Sequence, residues 1–535
     1  MLSQVPDASY VVAPGSSIEE LSSTLSEWFD LVVGKAAALN QVVLDSADRR
    51  MRAAGMHLVL EDAVDGDRLV LSGQGLMAPL MAARNNHVPA NPDRGFFPND
   101  LPEGAIRDSV EPILGVRALL PIVELRRHAT PLAVRNRDHK TVVRLEVAEL
   151  AASRPGSHQT VPLATRLDVN GVLGYSKQVA KVRDAASAMG LELADRSVFD
   201  DAAVALGLNP EGVIRKPKTS PNPAQDAREA AVAVLRAQSI VVDQNLSGAI
   251  ADLDSEFLHD LRVAVRRSRS VLRQFKGVFP PDRRRTQAQN LRWLQGLTGP
   301  TRDLDVQLME WQELSADLPP QRCRDLEPVH KRLRARRTKE RAVMRRRLRS
   351  ATFQRRWSEW QSFVSEGFET DPGQAATAPD AAKPISDVAG RRIRKVYRRM
   401  LRDGAAIDDS SPATDLHDLR KRGKELRYLL ESFSDLWPSS VVKPLVATLK
   451  DLQDVLGRHH DCEVQADNLR SLAPELSEAP GGAEALLGLG SVIERLDAKQ
   501  HQARAAFAKR FAKFASRKQA KTVDATFRSE PGRSQ

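Results

Sequence analysis

The sequence predicts a multidomain protein in which an N-terminal α+β region precedes a C-terminal all-α region of two related four-helix bundles packed side by side. Three observations lead to this fold class. Short β-like runs alternate with helical stretches over roughly the first 200 residues, long helical patterns rich in Ala, Leu and Arg begin at residue 225, and an internal repeat occupies that second half. At 535 residues the chain is long enough for about two to four domains.

The N-terminal region carries the strand and helix signals of an α+β domain. Two segments, 17–29 and 176–191, have the apolar spacing of helices, and polar or Gly-rich turns separate the strand-like runs. The predicted strands are QVVLD (41–45), HLVLED (57–62), RLVLSG (68–73), ALLPIVELRR (118–127), PLAVRN (131–136) and TVVRLEV (141–147).

Composition also marks the domain boundaries. LNPEGVIRKPKTSPNPA holds four prolines and no apolar periodicity, which is typical of a linker. A second stretch, 371–384, separates the two repeats and is expected to be flexible. The predicted organisation is a domain at 1–207, a linker at 208–224, a helical domain at 225–519 with repeats 225–370 and 384–519, and a disordered tail at 520–535.

The internal repeat is visible in the pentapeptide LHDLR, which occurs at 258–262 and again at 416–420. An offset of 158 residues pairs the two copies without a gap, and 14 of the 48 positions in 259–306 are identical to their partners in 417–464. The agreement extends to LRWLQGLTGPTRDLDV, which pairs with LKDLQDVLGRHHDCEV. The second half of the chain therefore contains a duplication.

In each repeat a histidine begins a stripe of basic residues. The offsets 0, +3, +7 and +10 place them on a stripe about 80° wide that rises about 15 Å along a helix. Like charges at this spacing repel one another, but Arg forks and Lys point charges suit a row of phosphates. A solvated helix face is the alternative, which the matching register disfavours, and a capping or core position stays open for the histidines. The stripes are His259, Arg262, Arg266 and Arg269, and His417, Arg420, Lys424 and Arg427.

Charge and cysteine content exclude several classes of protein. The net charge is +11, but residues 1–224 hold 24 basic and 27 acidic residues, whereas the rest of the chain holds 56 and 42. This asymmetry suggests an anionic partner for the second half. Cys323 and Cys462 are too few for a disulfide framework. No signal peptide or membrane-spanning run is found, so we expect a soluble, cytoplasmic protein.

The repeated pattern H-x-x-R-x-x-x-R/K-x-x-R, followed by L-x-x-L-Q and then Gly and Asp, resembles the CHAD domain, the conserved-histidine α-helical domain. The resemblance covers about 225–519. It implies two four-helix bundles related by a pseudo-twofold axis, a basic central groove, and binding of inorganic polyphosphate without catalysis. The implied ligand-facing set is the two stripes with Arg273. Weaker candidates are the matched pairs Arg236 with Arg394 and Arg292 with Lys450.

The N-terminal region resembles the CYTH fold, a triphosphate tunnel domain, through 41–61 and 167–182. Active members need an E-x-E-x-K strand near the start, whose glutamates hold a divalent metal. The corresponding PDASYVVAP (6–14) has no glutamate and no lysine, so the resemblance implies a degenerate tunnel or barrel fold that has lost hydrolysis. An anion site and a solvated strand face are both open for four arginines, with the second favoured: Arg126, Arg127, Arg135 and Arg137.

Two further segments have competing interpretations. RHHDCE (458–463) invites a metal site, but its partner PTRDLD lacks both histidines and the cysteine. A helix–loop–helix junction with a structural aspartate, Asp303 or Asp461, is therefore preferred. The segment 331–349 has 11 basic residues in 19, and either extends an anion-binding surface or is simply solvated.

These observations rank three hypotheses of function. The first is non-catalytic binding of inorganic polyphosphate, with no cofactor and no metal, and with association to polyphosphate granules as a further hypothesis. The second is a metal-dependent triphosphatase or other phosphohydrolase in the N-terminal domain, which the missing acidic strand disfavours. The third is nucleic-acid binding, which the low aromatic content of 5% disfavours. The sequence does not determine the oligomeric state.

Overall fold

The structure is a computed structural model that describes residues 6–13, 17–62, 66–74, 76, 78–84, 95–316, 318–365 and 377–528. The chain divides into two compact units. The first contains the residues up to Arg215 together with Asp252–Glu256, and the second contains Lys216–Ala251 and the residues from Phe257 onward. Within the described ranges, no helix is both long enough and apolar enough to cross a membrane.

The first unit is an α+β domain built on an antiparallel sheet. Its strands are β1 (Ala8–Val11), β2 (Asp30–Val33), β3 (Ala37–Asp45), β4 (Met56–Asp62), β5 (Arg68–Gly73), β6 (Leu80–Ala83), β7 (Leu120–Arg135), β8 (Thr141–Ser153), β9 (Thr160–Pro162), β10 (Arg166–Gly171) and β11 (Glu192–Leu193). The order is β11-β1-β10-β8-β7-β3-β4-β5-β6, with β2 paired to β7 and β9 to β8. The helices are α1 (Ile18–Trp28), α2 (Arg50–Ala53), α3 (Ala105–Leu114), α4 (Ser176–Ala188) and α5 (Val198–Ala205).

The predicted strands are present, with one difference in β7. The sequence predicts two strands at 118–127 and 131–136, whereas β7 is continuous. Pro131 does not interrupt it because its missing N–H falls between two partner strands: β3 pairs with β7 as far as Ala129, and β2 pairs from Leu132. In this gap the N–H of Gly34 donates to the carbonyl of Pro131 (2.8 Å).

Successive residues of the sheet alternate between two faces. On β8, Leu145 lies in an apolar cluster with Leu25 of α1 and Val182 of α4. Its neighbour Glu146, and Asp168 of β10, line a cavity on the other face of the sheet. The period of two along each strand therefore gives the sheet one face packed against helices and one face that carries charged groups.

The second unit is all-α in its described residues. The first repeat contains α6 (Ala227–Ala251), α7 (Ser255–Gln274), α8 (Pro281–Leu297), α9 (Gly299–Met309), α10 (Trp311–Ser315), α11 (Pro320–Asp325), α12 (Glu327–Leu348) and α13 (Ala351–Ser365). The second contains α14 (Ile385–Ala405), α15 (Ala413–Ser432), α16 (Ser439–Arg470), α17 (Ala473–Ser477), α18 (Gly482–Phe514) and α19 (Arg517–Thr526).

Reciprocal contacts between α7 and α15 show that the two repeats are related by a pseudo-twofold axis. Arg267 pairs with Glu431 (2.7 Å), and Arg273 pairs with Glu425 (2.6 Å). At the offset of 158 residues, Glu431 is the counterpart of Arg273 and Glu425 is the counterpart of Arg267. Each contact is thus the symmetry mate of the other, as in an isologous interface. Phe275 and its own counterpart Phe433 also meet, with ring centroids 5.2 Å apart.

The prediction of two bundles side by side is refined by a core that both repeats share. Trp311, Val329 and Leu333 of the first repeat belong to the same buried cluster as Ala466 and Leu489 of the second. Helix α12 ends at Leu348 and α13 begins at Ala351, so that the chain turns at Arg349–Ser350. The duplication therefore produced one interlocked helical unit.

Two predicted flexible segments are partly ordered. Helix α19 occupies the first part of the tail predicted to be disordered at 520–535, because Val523 and Phe527 are buried and the ring of Phe527 contacts Trp437 (4.6 Å). Residues 529–535 lie outside the described residues. The predicted linker at 208–224 begins inside the first unit, since the N–H of Val213 donates to the carbonyl of Ala47 (2.8 Å).

The predicted flexible stretch at 371–384 lies outside the described residues as far as 376. From residue 377 it is held by backbone hydrogen bonds. The N–H of Asp380 donates to the carbonyl of Gly277 (2.8 Å), and the N–H of Ala227 donates to the backbone carbonyl of Lys383 (2.8 Å). The described end of this stretch is therefore attached to the first repeat.

Candidate functional site

The basic stripes lie on the equivalent helices α7 and α15. Both helices bury an apolar face, which includes Leu261 and Leu272 on α7 and Leu419 and Leu430 on α15. The stripes lie at the border of this face: Arg262 is buried and the other seven stripe residues are half-buried. A solvated helix face therefore does not describe the stripes, because none of their residues is fully exposed.

In the first repeat the stripe is held by groups from α8 and α9. Arg262 donates from Nη1 to the carbonyl of Gln295 (2.9 Å) and to Oγ1 of Thr298 (3.0 Å). Arg269 donates to the side-chain oxygen of the same Gln295. Arg302 donates from Nη2 to Nδ1 of His259 (3.0 Å), which places a further guanidinium beside the histidine. Burial lowers the pKa of Arg262 to about 10.

In the second repeat the counterparts of these groups hold the stripe. Arg427 donates to Glu431 (2.6 Å) and to Oε1 of Gln453 (3.4 Å), and Gln453 is the counterpart of Gln295. Arg420 pairs with Asp461 (2.8 Å), which is the counterpart of Asp303. The rings of His417 and His460 meet at a tilt of 40° with centroids 4.0 Å apart, so that His460 takes the place that Arg302 has in the first repeat. The two half-sites are built alike.

Arg266 and its counterpart Lys424 form the centre where the two half-sites meet. Burial lowers the pKa of Lys424 to about 7, assisted by the nearby charges of Arg420 and Arg266. Burial also lowers the pKa of Arg420, and Arg266 again contributes. Among the described residues, neither Arg266 nor Lys424 has a hydrogen bond or an ion pair. Cations of both repeats therefore face a common region. Arg266 and Lys424 have no ion pair among the described residues there, although the charges of Asp303 and Asp461 act on them.

Several donors around this centre are buried without an acceptor. They are the Nε atoms of Arg262, Arg266 and Arg420. Nδ1 of His417 is also buried and has no hydrogen-bond partner. Buried polar groups are normally paired, and an unpaired one costs free energy of about 1–3 kcal/mol. The site is thus deficient in hydrogen-bond acceptors and in negative charge.

The acidic residues at this site are Asp303 and its counterpart Asp461. Asp461 is engaged by Arg420, and burial raises the pKa of Asp303. No group of three or more potential metal ligands occurs within the ranges that the structure describes. The RHHDCE segment lies inside the continuous helix α16, so the predicted helix–loop–helix junction is wrong for the second repeat. Its Cys462 belongs to the shared apolar core, and His459 is buried.

The comparison with family models identifies this unit. Residues 233–470 match the model of the CHAD domain. The chain contains a CHAD domain. The matched range includes every residue of both stripes, and the helices continue beyond it to Thr526. A search of the curated proteins finds no match.

Three solved structures illustrate what the chain is similar to. The CHAD domain of the plant Ricinus communis is 23% identical, with a TM-score of 0.47, covering 56% of this chain and 96% of that one. PptA from Streptomyces chartreusis is 18% identical, with a TM-score of 0.43, covering 54% of this chain and 99% of that one. HpAC1 from Hippeastrum, described as an adenylyl cyclase with a dominant triphosphatase activity, is 16% identical, with a TM-score of 0.26. The match covers 38% of this chain and 96% of that one.

The weaker candidates of the CHAD domain lie apart from the centre or serve other contacts. Arg236 donates to the carbonyl of Val364 at the end of α13 (2.9 Å), and its counterpart Arg394 pairs with Asp524 of α19 (3.3 Å). These two arginines hold the last helix of each repeat. Burial lowers the pKa of Arg269. Arg292 is exposed, but it lies close enough to Arg269 to lower this pKa further.

Lys450 and Arg273 complete the predicted set. Lys450 is exposed on α16. Arg273 is exposed too, and its ion pair with Glu425 braces the contact between α7 and α15. Arg273 thus lies at the pseudo-twofold interface.

Sequence reasoning missed four groups of the CHAD site. Gln295 and Gln453 were detectable, because they are identical at matched positions of the repeat. Arg302 and His460 also occupy matched positions, but they differ in identity and give no sequence signal. Their role depends on the packing of α9 and α16 against the stripe helices, which a local pattern does not specify.

Three arginines of the basic helix α12 form ion pairs with nearby acidic residues. Arg332 and Arg336 pair with Glu475, and Arg337 pairs with Asp305. Arg334 and Arg345 are exposed to solvent. The structure thus assigns part of the predicted basic surface to contacts within the CHAD domain.

Proposed function

We propose that the CHAD domain binds inorganic polyphosphate without catalysis, through the groups of both stripes around Arg266 and Lys424. The observation that carries this proposal is that these two matched, half-buried cations, at the centre of two equivalent half-sites, have no hydrogen bond or ion pair among the residues that the structure describes. Association with polyphosphate granules is a consequence that fluorescence co-localisation can test.

The free energy of the unliganded site favours a multiply charged anion as its ligand. Half-buried like charges repel one another more strongly than exposed ones, because water screens them less. Removing this repulsion requires negative charge, and the unpaired Nε donors require oxygen acceptors. A polyphosphate chain supplies both at each repeating unit, whereas a single carboxylate supplies one charge. Two half-sites that face a common region suit a polymer better than a small anion.

Nucleic acid is the competing polyanion, and the site offers little for its bases. Binding of single strands depends on aromatic side chains on which bases stack. On the stripe helices, Phe257 and Phe275 are buried, and the half-buried Tyr428 lies beneath the guanidinium of Arg267 (6.0 Å). The described part of the stripes therefore provides charge without an open stacking surface.

The test of the proposal is competition between long-chain polyphosphate and single-stranded DNA for the purified full-length protein. We expect polyphosphate to displace the DNA at every salt concentration, because the site supplies phosphate contacts alone. Both affinities should fall as salt rises, by analogy with counterion release from nucleic acids. Tighter binding of the DNA at moderate salt would overturn the proposal.

For the first unit we predict no release of phosphate from tripolyphosphate with Mg²⁺ or Mn²⁺. Arginines engage the carboxylates near its cavity: Glu146 accepts from Arg127 through one oxygen, Asp168 also accepts from Arg127, and Glu61 accepts from Arg68. Carboxylates held by arginines are poor ligands for Mg²⁺, which needs charged oxygens free to complete an octahedron. The measurement is a phosphate-release assay over a metal series. Metal-dependent release that Glu146→Gln abolishes would contradict the prediction.

A further inference from the structure

The sheet of the first unit encloses a cavity of about 450 Å³ whose lining is unlike the cationic site of the CHAD domain. Alternate residues of the strands point into it, among them Leu39 of β3, Val59 of β4 and Leu125 of β7. The segment Ala194–Phe199 closes one side. Much of the wall is therefore apolar, as is usual for sites that bind small organic molecules.

Three of the charged side chains that line the cavity form one cluster, in which a single guanidinium meets two carboxylates. Arg127 donates from Nε to Oε1 of Glu146 (2.8 Å) and from Nη2 to Oδ2 of Asp168 (2.8 Å). One guanidinium thus donates hydrogen bonds to two carboxylates. The other strand cation of the lining, Arg68, is held by Glu61 (3.0 Å). An anion that entered the cavity would find both strand arginines already engaged by carboxylates.

Two further cations and one histidine also line the cavity. Lys35 and Arg196 line the cavity but are exposed to solvent, where their charges are screened. Burial lowers the pKa of His57, so that this histidine is neutral at pH 7.

Among the carboxylate oxygens that line the described cavity, one remains available. Both oxygens of Asp168 are used, since Ser9 donates to Oδ1 (2.6 Å) and Arg127 to Oδ2. Glu146 accepts through Oε1, and its Oε2 has no hydrogen-bond partner among the described residues, although it is not sealed from solvent. The half-buried ring of Phe199 also lines the cavity. A carboxylate oxygen and an aromatic face together attract a cation with an apolar body.

We propose that this cavity binds a small organic amine, a molecule with an apolar body and one protonated amino group that donates to Oε2 of Glu146. The apolar body lies against Leu39, Val59 and Leu125. The site is independent of polyphosphate binding, because its lining belongs entirely to the first unit.

The experiment compares three probes of similar shape on the full-length protein by ligand-observed NMR titration: 2-phenylethylamine, the neutral 2-phenylethanol and the anionic 3-phenylpropionate. We expect saturable binding of the amine, about fivefold or more tighter than the alcohol, and weakest binding of the acid. Glu146→Gln should weaken the amine by about tenfold and leave the alcohol unchanged. Arg127 keeps Asp168 in this variant, and circular dichroism reports whether the fold persists.

Glu149→Gln is the matched control. Glu149 lies on the same strand, is exposed, and is absent from the cavity lining, so it should leave amine binding unchanged. The proposal is overturned if the amine shows no saturation up to about 10 mM. It is also overturned if the acid binds as tightly as the amine, or if the two glutamate variants behave alike.

Discussion

Reversing the charges of Arg266 and Lys424 together is expected to lower the affinity for long-chain polyphosphate by about 100-fold. Within the described part of the chain these two cations have no hydrogen bond or ion pair, so their interaction with an anion is not offset by a broken ion pair. A charge-assisted contact is worth about 1.5–3 kcal/mol when well formed, and less where water screens it. A loss of about 2.8 kcal/mol from two reversals gives the expected change. Calorimetric titration of Arg266→Glu with Lys424→Glu measures it.

The matched control reverses two exposed lysines away from the stripes, Lys395→Glu with Lys443→Glu. It changes the net charge of the protein by the same amount. We expect it to weaken binding less than about threefold, because exposed charges act through a screened field. Equal losses in the two double variants would mean that net charge governs binding, and that no site is centred on Arg266 and Lys424.

The affinity for polyphosphate is also expected to fall by about tenfold between pH 7 and pH 8.5. Lys424 has a pKa of about 7 in the free protein because burial and neighbouring cations disfavour its charge. A bound polyanion favours the charged form, so binding raises this pKa and takes up a proton. The favourable contribution is complete below pH 7 and is lost as the pH rises from the free pKa towards the bound one, by at most tenfold per pH unit.

An exchange of residues between the repeats isolates this effect. Lys424→Arg installs the residue of the first repeat, which stays charged, and should give an affinity that is flat from pH 7 to 8.5. Arg266→Lys adds a second titrating amine and should steepen the dependence. His417 and His460 are neutral in this range, since burial lowers both pKa values, that of His460 to about 4. If the affinity of Lys424→Arg depends on pH as that of the wild type does, a group other than Lys424 is responsible for the pH dependence.

The repeat made the helical half largely predictable. The offset of 158 residues placed Arg262 with Arg420 and Arg266 with Lys424 in equivalent positions, and the structure preserves these equivalences. The equivalence of the repeats does not extend to the helix boundaries. Pro300 lacks an N–H, and the first repeat has a break at Thr298 between α8 and α9. The second repeat has Arg458 at that position, so α16 continues and RHHDCE is helical.

The burial and the hydrogen-bond partners of each stripe residue were not predictable, because they depend on residues distant in the sequence. Arg262 is buried through its contacts with Gln295 and Thr298, whereas Arg266, one turn further along the same helix, has no partner. Nothing in the local pattern distinguishes these two arginines. In the tail, by contrast, a signal was present: Val523 and Phe527 are spaced by four residues, as on one face of a helix, and both are buried.

The most direct test of the central claim, that both repeats bind one polymer, is calorimetric titration of Arg266→Glu and Lys424→Glu separately with long and short polyphosphate. We predict one long chain per protein molecule, similar losses of long-chain affinity of about tenfold in the two variants, and smaller losses for short chains, which can use the intact half-site. Circular dichroism confirms the fold of each variant. The claim is contradicted if one variant binds long chains like the wild type while the other loses binding.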